Sequence, residues 1–149
     1  MSDKRLNKVL NKVPDTMPAA ARDLQGRARM RTTQHTMKNA GCTVQWREWG
    51  PQDGIPLVAL HGGHGSWLHW LRNVDAFANK YRVLLPDMPG FGDSTDLDLP
   101  ARDPARLDAL VQVLKHGIED QLGQTPFHLI GFSFGGLVAG KVAQRMPQI

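Results

Sequence analysis

Gly131-Phe132-Ser133-Phe134-Gly135-Gly136 follows a short apolar run, Pro126-Phe127-His128-Leu129-Ile130, and opens a segment rich in small residues. The run predicts a buried strand, and the small residues after it (Gly135, Gly136, Ala139, Gly140, Ala143) predict a helix lying close against a sheet, with Pro147 as its stop. A serine at so sharp a strand-to-helix turn adopts a strained backbone, and the residues two before and two after it must be tiny or the turn collides with itself. Gly131 and Gly135 meet that demand. The result is a hydroxyl raised clear of the sheet, beside the Phe134 N–H and the start of a helix whose dipole favours negative charge. The stretch therefore points to a nucleophilic serine, Ser133.

Working outward, Asp103 is placed to cap a helix over Pro104 to Leu122 whose Leu107, Leu110, Val111, Leu114 and Ile118 form one face. Tyr81 to Pro86 reads as a buried strand ending in a glycine-rich turn, Asp87-Met88-Pro89-Gly90-Phe91-Gly92-Asp93-Ser94. Pro56 to Leu60 is a second such strand, ending in His61-Gly62-Gly63-His64-Gly65-Ser66. Ser66 is a natural N-cap for a helix over Trp67 to Ala78 with Leu68, Leu71, Val74 and Phe77 on one stripe. Further back, period-two patterning from Ala28, a turn at Asn39 to Gly41 and a second run at Cys42 to Trp49 predict an antiparallel hairpin. Trp46 and Trp49 are three apart on that strand and point to opposite faces, so at most one joins a shared core cluster. The fold class is α/β: a hairpin, then parallel strands with helices on both faces and the glycine-rich turns at their carboxyl ends, where chemistry collects in such sheets.

At 149 residues with 41% apolar and 21% charged side chains, the composition is that of a folded globular chain. The net charge of +4 belongs to one end: residues 1 to 31 hold eight Lys and Arg against three acids, while the remainder carries 10 basic and 11 acidic groups. A nucleic-acid partner needs a basic face on the folded part, and the pattern there does not supply one. No run reaches the length of a membrane span and no apolar core follows the N-terminal charges, so the expected compartment is the cytoplasm. Residues 1–27 are read as a basic N-terminal tail, loosely docked or mobile, with Leu6, Val9, Leu10 and Val13 at helical spacing as the alternative of a short amphipathic helix. The domain proper spans 28–149. Cys42, the single cysteine, is expected to be a small buried residue, because nothing near it in sequence would lower its pKa.

Three motifs in order, His61-Gly62-Gly63, Asp87 to Ser94 and Gly131 to Gly136, make residues 28 to 149 resemble the α/β-hydrolase superfamily, in its serine-nucleophile branch of esterases and carbon–carbon bond hydrolases. The resemblance implies that Ser133 attacks a carbonyl and is acylated, then released by water. It implies that the backbone N–H groups of Gly63 and Phe134 form the oxyanion hole. It implies that His61 and Gly62 aim Gly63, with His61 holding the loop and not transferring protons. His64, Trp67 and Trp70 are matched to the pocket mouth, with core packing or a solvent-facing cap as the other reading for each. Asp87 is matched to an architectural turn, with Gly90 and Gly92 supplying unusual backbone angles, and not to the acid of a triad. Haloalkane dehalogenases and epoxide hydrolases of this superfamily carry Asp at the elbow, so Ser133 argues against both.

The chain departs from the pattern after the serine. Residues 134 to 149 contain no Asp, Glu or His, whereas the superfamily places the acid and histidine later in the chain than the nucleophile. The chain is accordingly read as the N-terminal part of a longer hydrolase, without the later strands and lid, aggregation-prone and essentially inactive by itself. The expected function of the whole is hydrolysis of a small carboxylic ester or related carbonyl compound. Hydrolysis of ring-cleavage diketones is one alternative, and a non-catalytic binding module on the same scaffold is another. The expected partner is a small-molecule substrate. No cofactor or metal is expected, no dinucleotide fingerprint or phosphate loop is present, and oligomeric state is left open.

Overall fold

Thr32–Met37 (β1) and Cys42–Trp49 (β2) form the expected hairpin, antiparallel with Thr32 opposite Arg47 and Met37 opposite Cys42. The computed structural model describes residues 32–37 and 41–149; the basic tail at 1–27, the stretch 28–31 and the turn positions 38–40 lie outside the described residues. After the hairpin come Ile55–Leu60 (β3), a 3₁₀ turn at Trp67–Trp70, Val74–Ala78 (α1), Tyr81–Pro86 (β4), Arg106–Leu122 (α2), His128–Gly131 (β5) and Phe134–Ala143 (α3). The strands make one five-stranded sheet in the order β1-β2-β4-β3-β5. β2 meets β4 antiparallel, while β4, β3 and β5 run parallel, so the turns after these last three leave the same edge.

Alternation along the strands sends side chains to two cores. Val44 and Trp46 of β2, Val58 and Leu60 of β3 and Leu84 of β4 lie under α2 and α3 with Leu110, Leu114, Ile118, Val138 and Val142. The opposite face carries Ala59, Val83 and Leu85 against Trp67 and Val74, with Trp49 at its margin. The two β2 tryptophans thus part to opposite faces, as their spacing requires. Trp46 also explains a glycine inside α2: a Cβ at Gly117 would sit 2.8 Å from the Trp46 indole Cζ2.

The helix expected over 67 to 78 is two pieces. Leu71 N–H bonds to Leu68 O and Asn73 N–H to Trp70 O, three-residue closures that wind more tightly than an α-helix, and regular helix begins only at Val74. The Trp67 N–H is drawn to the Asp87 carboxylate across the sheet edge (2.8 Å), which fixes the start of the segment to another turn. Ser66 caps it as expected, its Oγ accepting from Leu68 N–H. α2 starts at Arg106, two residues later than the sequence pattern, with Ala105 at its N-cap; Asp103, expected as the cap, instead accepts from Ala105 N–H through Oδ1 (2.8 Å) in the turn just before it. β5 is the edge strand and pairs with β3 alone among the described residues, flanked by Phe132 and Leu137, each more than half exposed. No helix among the described residues is long and apolar enough to cross a membrane.

Candidate active site

Ser133 sits between the end of β5 and the start of α3 with φ +53° and ψ −118°, and its side chain is exposed. This left-handed region penalises any residue with a Cβ by about 1–3 kcal/mol. The surroundings hold it there. A Cβ at Gly131 would lie 2.3 Å from Gly135 O, and one at Gly135 would lie 2.4 Å from the carbonyl oxygens of both Leu60 and His61. Both glycines are therefore required by backbone contacts that no rotamer change relieves. Phe132 N–H donates to Leu60 O (3.0 Å), fixing the elbow to the end of β3. Phe134 opens α3, so its N–H has no carbonyl within the helix to bond.

The turn after β3 lies against this elbow. A Cβ at Gly63 would come 3.6 Å from the Phe134 Cβ, so the two residues matched to an oxyanion hole are neighbours. His61 is fully buried; its Nε2 accepts from Met88 N–H (2.9 Å), so Nδ1 carries the proton and donates to Gly62 O (2.8 Å). Burial pushes its pKa below the ordinary histidine value, against the pull of the Gly62 carbonyl and Asp87, and it is neutral at neutral pH. His61 is thus built to hold a loop. His64 stands exposed at the tip with φ +57°. Trp67 is buried in the core beneath, 5.0 Å from the Arg47 guanidinium carbon to its ring centroid, and so lies away from any pocket mouth. Trp70 packs at the margin of that same core.

The turn after β4 is scaffold. Asp87 is fully buried and accepts from Arg47 Nη1 (2.8 Å), Trp67 N–H (2.8 Å) and Asp93 N–H (2.9 Å). Arg47, itself 1% exposed, also reaches Asp93. Every oxygen of Asp87 is committed to joining β2, the β3 turn and its own turn, which leaves no role as the acid of a triad. Cys42 is buried with its Sγ–H on Thr95 O (3.2 Å), and burial raises its pKa, so it is no nucleophile.

Beside Phe134 a groove of about 320 Å³ runs between the β4 turn and the start of α2, lined by Phe91, Leu97, Leu107, Leu110 and Phe134, with Arg106 at its rim. Arg106 is paired with Asp96, and Asp103, which also lines the groove, accepts from Ala105 N–H, so the lining is mostly apolar with charged groups at one end. Among the described residues no histidine is hydrogen-bonded to the Ser133 hydroxyl, and no cluster of three His, Cys, Asp or Glu side chains is set to hold a metal.

Two residues to which the sequence reading gives no role take part. Arg47 carries the buried ion pair; the signal for it is a charge set among Val44, Gln45 and Trp46 in a strand with both faces covered. His69 Nδ1 accepts from Gly62 N–H (3.0 Å); its place in the chain puts it among the histidines able to come near Ser133, but nothing in the local pattern assigns it this contact.

A family model described as the alpha/beta hydrolase fold matches residues 55–149. The chain is 44% identical over 96 residues to a 2-hydroxy-6-oxononadienedioate/2-hydroxy-6-oxononatrienedioate hydrolase of Paraburkholderia phymatum, covering 62% of this chain and 32% of that protein. It is 31% identical over 114 residues to epoxide hydrolase 4 of Mus musculus, covering 76% and 31%. The crystal structure of wild-type Cfl2 from Burkholderia cenocepacia superposes with a TM-score of 0.67 at 28% identity, covering 78% of this chain and 37% of that one. The chain spans about a third of the length of the curated relatives it matches.

Proposed function

The chain belongs to the α/β-hydrolase family, and from that premise we propose that it carries the nucleophilic half of a serine hydrolase acting on a small carboxylic ester or related carbonyl substrate. In this reading Ser133 Oγ attacks the carbonyl carbon as a base takes its proton. The negative charge that develops on the carbonyl oxygen is accepted by the N–H groups of Phe134 and Gly63, assisted by the α3 dipole. Collapse of the tetrahedral intermediate expels the leaving group and leaves an acyl-enzyme, which water hydrolyses. Residues 134–149, which contain no Asp, Glu or His, do not supply the base or its orienting acid, and in this reading they come from elsewhere in the whole protein. The groove beside Phe134 suits the apolar portion of a small substrate.

The observation that carries the reading is Ser133 in the left-handed region, exposed, between two glycines that backbone contacts make obligatory. An epoxide-opening mechanism that starts from a carboxylate nucleophile has no such group at this position. A second reading, hydrolysis of a carbon–carbon bond in a ring-cleavage diketone, draws support from the relative at 44% identity, whose name describes a hydrolase of an oxo-dienedioate.

The test is labelling by a fluorophosphonate. The whole protein, with its base, is expected to be labelled at Ser133 and the Ser133→Ala variant not at all; equal labelling of both would sink the serine reading, and no labelling with the base present would favour a binding module. Turnover of a chromogenic short-chain ester against turnover of a 2-hydroxy-6-oxo-dienoate then separates the ester reading from the carbon–carbon one.

A further inference from the structure

We propose that His69 is a positioning residue which, together with His61, locks the Gly62–Gly63 peptide and so holds the Gly63 N–H in place as an oxyanion donor; the inference rests on the reading of Ser133 as the nucleophile. Gly62 is gripped at both ends. Its carbonyl accepts from His61 Nδ1–H and its N–H donates to His69 Nδ1. The described peptides are trans, and in a trans peptide the carbonyl and the following N–H point in opposite directions. With Gly62 C=O turned inward to a buried imidazole, Gly63 N–H is turned outward. The second grip, from His69, fixes the preceding peptide plane and removes the freedom glycine would otherwise have.

His69 is seated across both turns that make the site. Its ring meets Phe132 of the elbow edge-on, with centroids 5.4 Å apart at 89°. On the other side, a Cβ at Gly65 would fall 2.1 Å from its Cε1 and one at Gly62 would fall 3.3 Å from the same atom, so the loop is glycine where the ring lies on it. The Ser66-capped 3₁₀ turn presents the residue from below. The titratable group facing His69 from the end of β3 is His61, itself beside Asp87; Gly62, Gly65 and Phe132 add no charge. Because a backbone N–H can only donate, Nδ1 of His69 must be unprotonated to hold Gly62, and a proton there releases the grip.

The experiment measures the rate of Ser133 phosphonylation by a fluorophosphonate in the full chain. His69→Phe keeps a ring against Phe132 and removes the acceptor. It is expected to slow labelling about tenfold, less than the roughly 10²–10³ lost when an oxyanion donor is absent. His69→Asn returns an acceptor near the Nδ1 position and is expected to recover the rate to within about threefold. Full-rate labelling of His69→Phe, or no recovery in His69→Asn, overturns the inference while leaving Ser133 as nucleophile. Absence of labelling in the unsubstituted protein, or equal labelling of Ser133→Ala, overturns the nucleophile reading and this inference with it. If His69→Phe does not fold, imidazole ¹⁵N spectra of the unsubstituted protein decide: an Nε2–H tautomer with Nδ1 hydrogen-bonded to the Gly62 amide supports the inference, and an Nδ1–H tautomer overturns it.

Discussion

The turns after β4 and β5 leave the same edge of the sheet, and both require backbone torsions that side chains resist. They meet the requirement differently. After β4 the positive φ values fall on Gly90 (+85°) and Gly92 (+54°), where no Cβ is strained. The polar groups there are consumed internally: Asp87 takes three donors, and Ser94 Oγ both donates to Asp87 O (2.6 Å) and accepts from Gln45 N–H (2.9 Å). After β5 the positive φ falls on Ser133, whose exposed hydroxyl makes no capping bond to α3. A connector would place glycine there. Glycine content, then, does not separate scaffold from site; the residue that bears the strain does, together with whether its polar group is already engaged.

If the β4 turn is scaffold, the largest effect comes from removing its cation. Arg47→Leu leaves the Asp87 carboxylate buried without its charged partner, and such a change costs about 3–5 kcal/mol. Urea unfolding should show the loss directly, and adding Asp87→Asn should recover part of it by removing the orphaned charge. If Arg47→Leu unfolds at an unchanged urea midpoint, the β4 turn is not held as described.

A smaller effect joins the two turns through His61, whose Nε2 takes the Met88 N–H of one while its Nδ1–H holds the Gly62 carbonyl beside the other. Burial keeps its folded pKa below the ordinary value, so below about pH 6.5 the unfolded chain binds the proton that the folded chain refuses. Stability is therefore whole above that pH and declines as pH falls through it, by at most about 1.4 kcal/mol per pH unit for one proton. Urea midpoints taken on either side of that value should show the slope, and His61→Gln should flatten it. A slope unchanged in that variant would mean that another group carries it.

What the sequence disclosed follows the same division. Steric demands leave a mark in residue type, so Gly131, Gly135, Gly90 and Gly92 made both turns readable, and the unbroken apolar runs at β3 and β4 marked strands covered on both faces. Contacts between distant segments leave no local mark. The 67–78 segment reads as one helix because its stripe is helical, and only the reach of Trp67 N–H to Asp87, 20 residues on, fastens its start elsewhere. Trp67 was matched to the pocket mouth because an aromatic after a glycine loop suits either place, and the Arg47 cation beneath it decides for the core. The contacts of His69 are hidden for the same reason: its partners Gly62 and Phe132 lie seven residues before it in one turn and far along the chain in the other.

The smallest effect is the most informative about the comparison. Ser133→Gly removes the Cβ from a conformation that costs a side chain about 1–3 kcal/mol, while adding unfolded-state freedom worth about 0.5–1 kcal/mol against the fold. The net expectation is a gain near 1 kcal/mol in urea unfolding, with fluorophosphonate labelling abolished. Ser133→Ala keeps the Cβ and loses only the hydroxyl, so it should abolish labelling without the gain. Equal stability of the two variants would mean that the elbow holds no strain at Ser133, and the contrast with the glycines after β4 would rest on hydrogen bonding alone. A gain confined to the glycine variant would instead show a side chain kept at a conformational cost between β5 and α3, whereas the β4 turn keeps glycine.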